Sequence, residues 1–158
     1  MTEQGTPISD NIIVWTTEDG SVRITQMIND AIDVDNEIRR IASSHPELTF
    51  RFKGKMSETG IGINLFYNAL VLDEDDNFAY DMVKARLVWK DILRRVREPK
   101  LQELDLQYQR ADEDGDTELK AEIVAKKIIL RDCTDNPDID LAISLNDLRR
   151  TLPELLAD

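Results

Sequence analysis

Few side chains in this chain have the type and spacing to do chemistry. Asp112, Asp114 and Asp116 alternate along DEDGDTE, residues 112–118, which matches positions 1, 3 and 5 of an EF-hand calcium loop. Such a loop needs Gly at position 6 and a bidentate Glu at position 12, where this chain has Thr117 and Ile123. No specific calcium site is expected, and Asp73-Glu74-Asp75-Asp76 likewise reads as a solvated turn. Nucleophilic catalysis asks for a base beside the nucleophile. The single imidazole, His45, precedes Pro46 at an expected helix end. The single thiol, Cys133, closes an apolar helix stripe with only Arg131 near enough to lower its pKa. No GxxxxGK[ST], GxGxxG or HExxH occurs. No catalytic, cofactor-binding or metal-ligating residue is therefore expected, and neither is an enzyme.

Charge and apolar stripes offer contact chemistry instead. Residues 84–100 hold seven bases, Lys84, Arg86, Lys90, Arg94, Arg95, Arg97 and Lys100, against Asp91 and Glu98 as the only acids. This basic run precedes the acidic stretch 112–118, and the two invite pairing within the chain or between copies. Partner contact is expected from Arg86, Lys90, Arg94 and Arg97 of the basic run. Trp89, Leu104, Tyr108 and Ile123 of the apolar stripes are expected to join them. As aromatic residues on apolar stripes, Trp15 and Trp89 also suit core packing.

These residues need elements to hold them. The chain has 158 residues, 41% of them hydrophobic and 33% charged, with only 6 Gly and 5 Pro. That is enough apolar material for a core. The net charge of -12 repels nucleic acid and anionic lipid at long range. No apolar run approaches the ~20 residues of a bilayer span, and the first residues do not read as a secretory signal. One Cys and one His exclude an intrachain disulfide framework and a Cys/His zinc site.

Residues 1–10 are expected to be a flexible tail. Asn11–Thr16 (NIIVWT) and Ser21–Gln26 (SVRITQ), joined through Glu18-Asp19-Gly20, read as a β-hairpin. Asp33 or Asp35 can cap a helix over 36–44 with Ile38 and Ile41 inward, ended by His45-Pro46. Leu48–Lys53 alternates, which places Leu48, Phe50 and Phe52 on one strand face. Residues 54–62 read as loop and Ile63–Leu72 as strand. From Asp81 the period becomes helical. Met82, Ala85, Trp89, Ile92 and Val96 form one stripe, Pro99 is expected to break or kink the helix, and the pattern restarts at Leu101, Leu104, Tyr108 and Ala111. A short turn containing Gly115 leads to a helix from about Glu118 to Asp132, with Leu119, Ile123, Val124, Ile128 and Leu130 as its apolar set. Helices joined so closely are antiparallel neighbours. Ser144 with Asp147 resembles a capping pair for a last helix, 145–152. The expected fold is α+β: a small α+β domain over 11–80, then a helical part over 81–158 containing an αα-hairpin, 101–132.

One set of segments resembles a known family. These are Phe66–Asp73 (FYNALVLD), Asp81–Arg86 (DMVKAR), Arg97–Leu101 (REPKL) and Leu104-Asp105. Together they resemble the carboxy-terminal half of small proteins from tailed-phage structural gene modules, the tail assembly chaperones and tail-fibre assembly proteins. In those an FRNAW segment precedes DMxKAR and a helix leads to a segment with a Pro and a Leu-Asp pair. The similarity continues through Tyr108, Arg110-Ala111-Asp112, Gly115-Asp116, Lys120-Ala121, Leu130-Arg131-Asp132 and Thr134 to Leu152–Leu156 (LPELL). At the amino end DNIIVW and VRIT are similar as well, while 27–60 is weakly so. Leu70 and Leu152 stand where the family has Trp.

The resemblance implies a non-enzymatic phage tail or tail-fibre assembly factor, chaperone-like, working through helix-mediated protein contacts. Its partner would be a tail or tail-fibre protein, with a homo-oligomer as a further possibility and with neither nucleic acid nor membrane. Its place would be the host cytoplasm during assembly, or the virion. The alternative is a stoichiometric virion structural protein of tail, baseplate or fibre attachment.

Overall fold

A computed structural model describes residues 8–59, 61 and 65–157. The fold is mixed α+β, with antiparallel strands first and long helices after them. Two compact units meet in sequence at Asp81 and Met82.

In the first unit Asn11–Thr16 is β1, Val22–Gln26 is β2, Val34–Ser44 is α1, Thr49–Lys55 is β3, Leu70–Leu72 is β4 and Phe78–Tyr80 is β5. The β-branched run Ile12-Ile13-Val14 makes β1 the centre of an antiparallel sheet ordered β2-β1-β3. Ile12, Ile13, Val14 and Trp15 are each 0% exposed, so β1 is covered on both faces. Alternation sends Ile12 and Val14 to one side, against Val22 and Leu70, with Leu72, Phe78 and Tyr80 of the β4–β5 hairpin. It sends Ile13 and Trp15 to the other, against Met27 and Ile41, with Ile38 of α1. β1 and β2 form the expected hairpin, with Gly20 at φ +77 in its loop. Asp33, rather than Asp35, caps α1, accepting from the backbone N–H groups of Asp35 and Asn36.

Three expectations change here. Phe50 and Phe52 do not share a face. The pairing of β1 with β3 shifts register between Val14 and Trp15, so that Phe52 lies opposite Val14 and Phe50 opposite Trp15. This bulge places an extra residue, Arg51, between the two. Phe50 then meets Trp15 edge-on at 5.7 Å, and Phe52 meets Phe78 at the same distance. The strand expected over Ile63–Leu72 is limited to β4; Tyr67–Ala69 is a 3-10 turn, and residues 62–64 lie outside the described residues. In that turn the Tyr67 hydroxyl accepts from the Ile24 N–H at 2.8 Å and so satisfies a donor on edge strand β2. Residues 1–7 of the expected tail and residue 60 of the expected loop lie outside the described residues too. Ser9, by contrast, is buried, and Asp10 accepts from the Ser57 backbone at 2.9 Å.

In the second unit Met82–Glu113 is α2, Thr117–Asp132 is α3, Pro137–Leu141 is α4 and Leu145–Arg150 is α5, with 3-10 turns at Cys133–Asp135 and Glu154–Leu156. α2 and α3 form the antiparallel hairpin. Gly115, at φ +71, reverses the chain, and Asp116 caps α3 by accepting from the Leu119 N–H at 2.9 Å. Leu104 and Ala111 pack on Ile123 and Leu130, flanked by Leu101, Tyr108, Leu155 and Leu156.

Pro99 does not end α2, which runs through it for 32 residues. A proline in a helix interior costs about 3 kcal/mol. Buried side chains on both sides, Trp89, Ile92 and Leu93 before it and Leu104 and Ala111 after it, outweigh that cost. The stripes also differ from expectation. Val96 is 44% exposed, and Leu93 takes the inward place instead. On α3 only Ile123 and Leu130 are buried, while Leu119, Val124 and Ile128 face solvent. The helix expected over 145–152 ends at Arg150.

Candidate functional site

The second unit carries most of the residues expected to act, and its hairpin seam is built from alternating apolar and charged steps. The inward edge of α3 reads Lys120, Ile123, Lys127, Leu130, spaced as one helical stripe. Ile123 and Leu130 fill the core. Lys120 and Lys127 lay their stems along the seam and carry their charges across to α2. Their ammonium groups lie 5.6 and 5.7 Å from the centroid of the Tyr108 ring. Each also pairs with an acid on α2: Lys120 with Asp112 at 2.5 Å and Lys127 with Asp105. The hydrogen bond to Asp112 holds the Lys120 pKa above its ordinary value of 10.5. Reading by apolar period alone missed these lysines. The signal was present in the charges: Asp105 and Asp112 are one heptad apart on α2, as are Lys120 and Lys127 on α3.

At the open end of the hairpin Arg97 takes an inward position. Its Nη1 donates to the Leu130 carbonyl at 3.2 Å and the Arg131 carbonyl at 2.6 Å. These are carbonyls of the last turn of α3, where partners are lacking and the helix dipole is negative. This attraction explains why Arg97, and not Val96, faces α3. The Cys133 Sγ lies 4.0 Å from the same nitrogen and is a buried free thiol.

Toward the start of α2, Trp89 Nε1 donates to the Thr151 hydroxyl at 2.8 Å, and that hydroxyl donates to the Leu148 carbonyl at 2.7 Å. Arg86 donates to the Ala142 carbonyl at 2.9 Å, and Lys90 pairs with Asp140 at 3.1 Å. Arg86, Lys90 and Arg97 of the basic run therefore reach residues 130–142 of their own chain.

Of the eight residues expected to touch a partner, Trp89, Leu104 and Ile123 are buried and form core. Arg86, Lys90, Arg97 and Tyr108 brace the unit internally. Arg94 is exposed and pairs with Asp91 one turn away at 2.5 Å. Leu104, Tyr108 and Ile123 come together at the seam; the others do not converge on one surface.

Exposed apolar residues of this unit include Val83 and Leu87 on α2, Leu141 and Ile143 near α4, and a group on the outer side of α3. Val124, Ile128 and Ile129 are 42%, 50% and 53% exposed, and Ala121 and Ala125 are exposed beside them. Ile129 also lines a groove of about 590 Å³ with Lys100, Lys126, Pro153, Glu154 and Leu155. Periodicity alone did not separate this face from the seam, because α3 has apolar residues on nearly every side.

The groups considered for catalysis or metal binding stand apart. His45 pairs with Glu47 at 3.0 Å, both exposed. The Glu47 carboxyl is held below its ordinary pKa of 4.5 by its own backbone N–H first and by His45 second. Asp112 is engaged by Lys120 and Asp116 by the start of α3. Among the described residues, no three of His, Cys, Asp and Glu are grouped to hold a metal ion, and no helix is long and apolar enough to cross a membrane. Compared with known protein families, curated proteins and solved structures, the chain matches none.

Proposed function

We propose that the protein is a non-enzymatic assembly factor for a phage tail or tail fibre, acting through helix-mediated contacts. Two things support this reading: the resemblance of segments spread over most of the chain, and the outer face of α3. The second is the observation that carries it. Val124, Ile128 and Ile129 present apolar surface on a helix whose other side is already braced, and contiguous exposed apolar surface marks sites of protein contact. The surface is a feature of the second unit, where the resemblance to DMxKAR and its downstream segments also lies.

The test is deletion of the gene from the phage that carries it, with quantitative mass spectrometry of purified particles. Particles lacking tails or fibres, with the protein scarce in complete virions, support an assembly factor. A copy number equal to that of a tail protein makes it a virion structural component instead. Normal particles from the deletion remove both readings.

A further inference from the structure

We propose that residues 152–157 form a displaceable strap, whose opening bares a seat on the α2–α3 hairpin for an acidic, leucine-bearing segment of another protein. The inference does not rest on the phage reading; it rests on how the end of the chain is held. Thr151 is hydrogen-bonded to α2, its hydroxyl accepting from Trp89 Nε1 at 2.8 Å. Beyond it, among the described residues, every hydrogen bond is local. The Leu152 N–H donates to the Arg149 carbonyl at 3.3 Å, the Leu156 N–H to that of Pro153 at 2.9 Å and the Ala157 N–H to that of Glu154 at 3.1 Å. Pro153 has no N–H to donate. Two side chains seat the segment: Leu155 and Leu156 pack on the cluster of Leu104, Ala111, Ile123 and Leu130 and stay half-buried. A chain end with few buried apolar contacts and no hydrogen bond to the helices beneath it opens locally, without unfolding those helices.

The strap also fills its seat incompletely. Beside Pro153 and Leu155 lies the groove of about 590 Å³ that reaches Lys100, Lys126 and Ile129, and Ile129 remains exposed in it. Glu154 lines the same groove. Among the described residues neither Glu154 nor Lys126 forms an ion pair, while Lys100 pairs with Glu103 of its own helix at 3.1 Å. The strap itself defines the chemistry the seat accepts: leucine side chains carried by an acidic turn. Apolar room at Ile129 and a cation at Lys126 are left over. A partner segment with two or three large apolar residues, and a carboxylate placed to meet Lys126, covers more of this surface than the strap does. The strap is then an autoinhibitory contact, holding the leucine positions until such a segment takes them.

The experiment uses the full chain, with a fluorescently labelled synthetic peptide of the sequence LPELLAD, residues 152–158, as the probe. Hydrogen exchange needs no variant: the Leu156 and Ala157 amides should exchange about 100-fold faster than those near Leu104 and Ile123. Leu155→Ser combined with Leu156→Ser frees the seat, with helical circular dichroism retained. It should raise peptide affinity about tenfold over wild type, because a closed strap lowers apparent affinity by the fraction of chains that are open. Lys126→Glu in that background should repel the acidic peptide and lower affinity about fivefold, the scale of one exposed charge pair. Strap amides that exchange as slowly as the helices overturn the opening. A peptide that binds neither chain, or both equally, overturns the seat. Lys126→Glu without effect overturns the acidic partner. A wild-type dimer that the double variant abolishes assigns the seat to a second copy's strap and overturns the partner segment.

Discussion

The ammonium of Lys127 lies 5.7 Å from the centroid of the Tyr108 ring, with the Asp105 carboxylate paired to the same ammonium. Lys127 is on α3 and Tyr108 and Asp105 are on α2, so one lysine holds the two arms of the hairpin together. Lys120 repeats the arrangement one heptad away with Asp112. Replacing Tyr108 with Leu keeps an apolar filler and removes both ring contacts. The expected loss is about 1–2 kcal/mol, since a cation over an aromatic ring contributes about 0.5–2 kcal/mol. A double-mutant cycle with Lys127→Met measures the coupling, and a coupling of zero would remove the cation–ring contact from the account.

Arg97 should matter more than its neighbours in the basic run. It satisfies two carbonyls at the end of α3, and hydrogen bonds to a charged donor contribute about 1.5–3 kcal/mol. Arg97→Met should therefore lower stability by about 2 kcal/mol. Arg94→Met, at an exposed i,i+3 pair, should change it by less than about 0.5 kcal/mol. Urea unfolding of the two variants decides this; equal midpoints would contradict the role given to Arg97.

Pro99 sits inside an unbroken helix, so its replacement should stabilise. Pro99→Ala restores a backbone donor and relieves the ring's clash with the preceding turn, a gain of up to about 3 kcal/mol. Thermal melting should show a higher midpoint. A lower one would mean that the proline shapes the bend α2 needs.

Ile123 lies in the seam core beside Leu104 and Leu130. Ile123→Asp buries a charge there and should cost several kcal/mol, about 3. Glu113, exposed at the end of α2, should tolerate Ala with little change. Melting temperatures of the two variants separate these outcomes, and an Ile123→Asp midpoint equal to wild type would move the seam elsewhere.

Acid should loosen the first unit. The Asp10 carboxyl is held below its ordinary 3.8 first by the Ser57 hydroxyl and then by the Ser57 backbone. The Asp35 carboxyl is lowered by its hydrogen bond from Lys53, which links α1 to β3. Each is lowered in the folded state, so its stabilisation is complete above the unfolded value and fades as pH falls through the folded one. Stability should hold from neutrality to about pH 5 and decline below about pH 4. Ser57→Ala should flatten that decline, measured by chemical unfolding at a series of pH values. An unaltered acid slope would discard the Asp10 contribution.

The sequence by itself determined the local elements, because their causes are local. Ile12-Ile13-Val14 favours strand, Glu18-Asp19-Gly20 turns the chain, Asp33 or Asp35 and Ser144 offer helix caps, and Gly115 takes the left-handed turn between α2 and α3. The α+β order and the helical hairpin followed from these. Only the tertiary structure decided which sides of those elements are covered. The spacing of Phe50 and Phe52 promised one face, and a bulge against β1 sent Phe52 into the core beside Phe78 and left Phe50 exposed against the edge of Trp15. Pro99 promised a break or a kink, and burial on both sides of it kept α2 continuous. Most of the residues expected to meet a partner turned out to be internal, because a basic helix finds carbonyls and acids of its own chain first. On α3 the apolar residues run nearly all round, so periodicity could not choose a side. Tyr108, Asp105 and Asp112 on α2 made the choice by drawing Lys120 and Lys127 inward, which left Val124, Ile128 and Ile129 facing out.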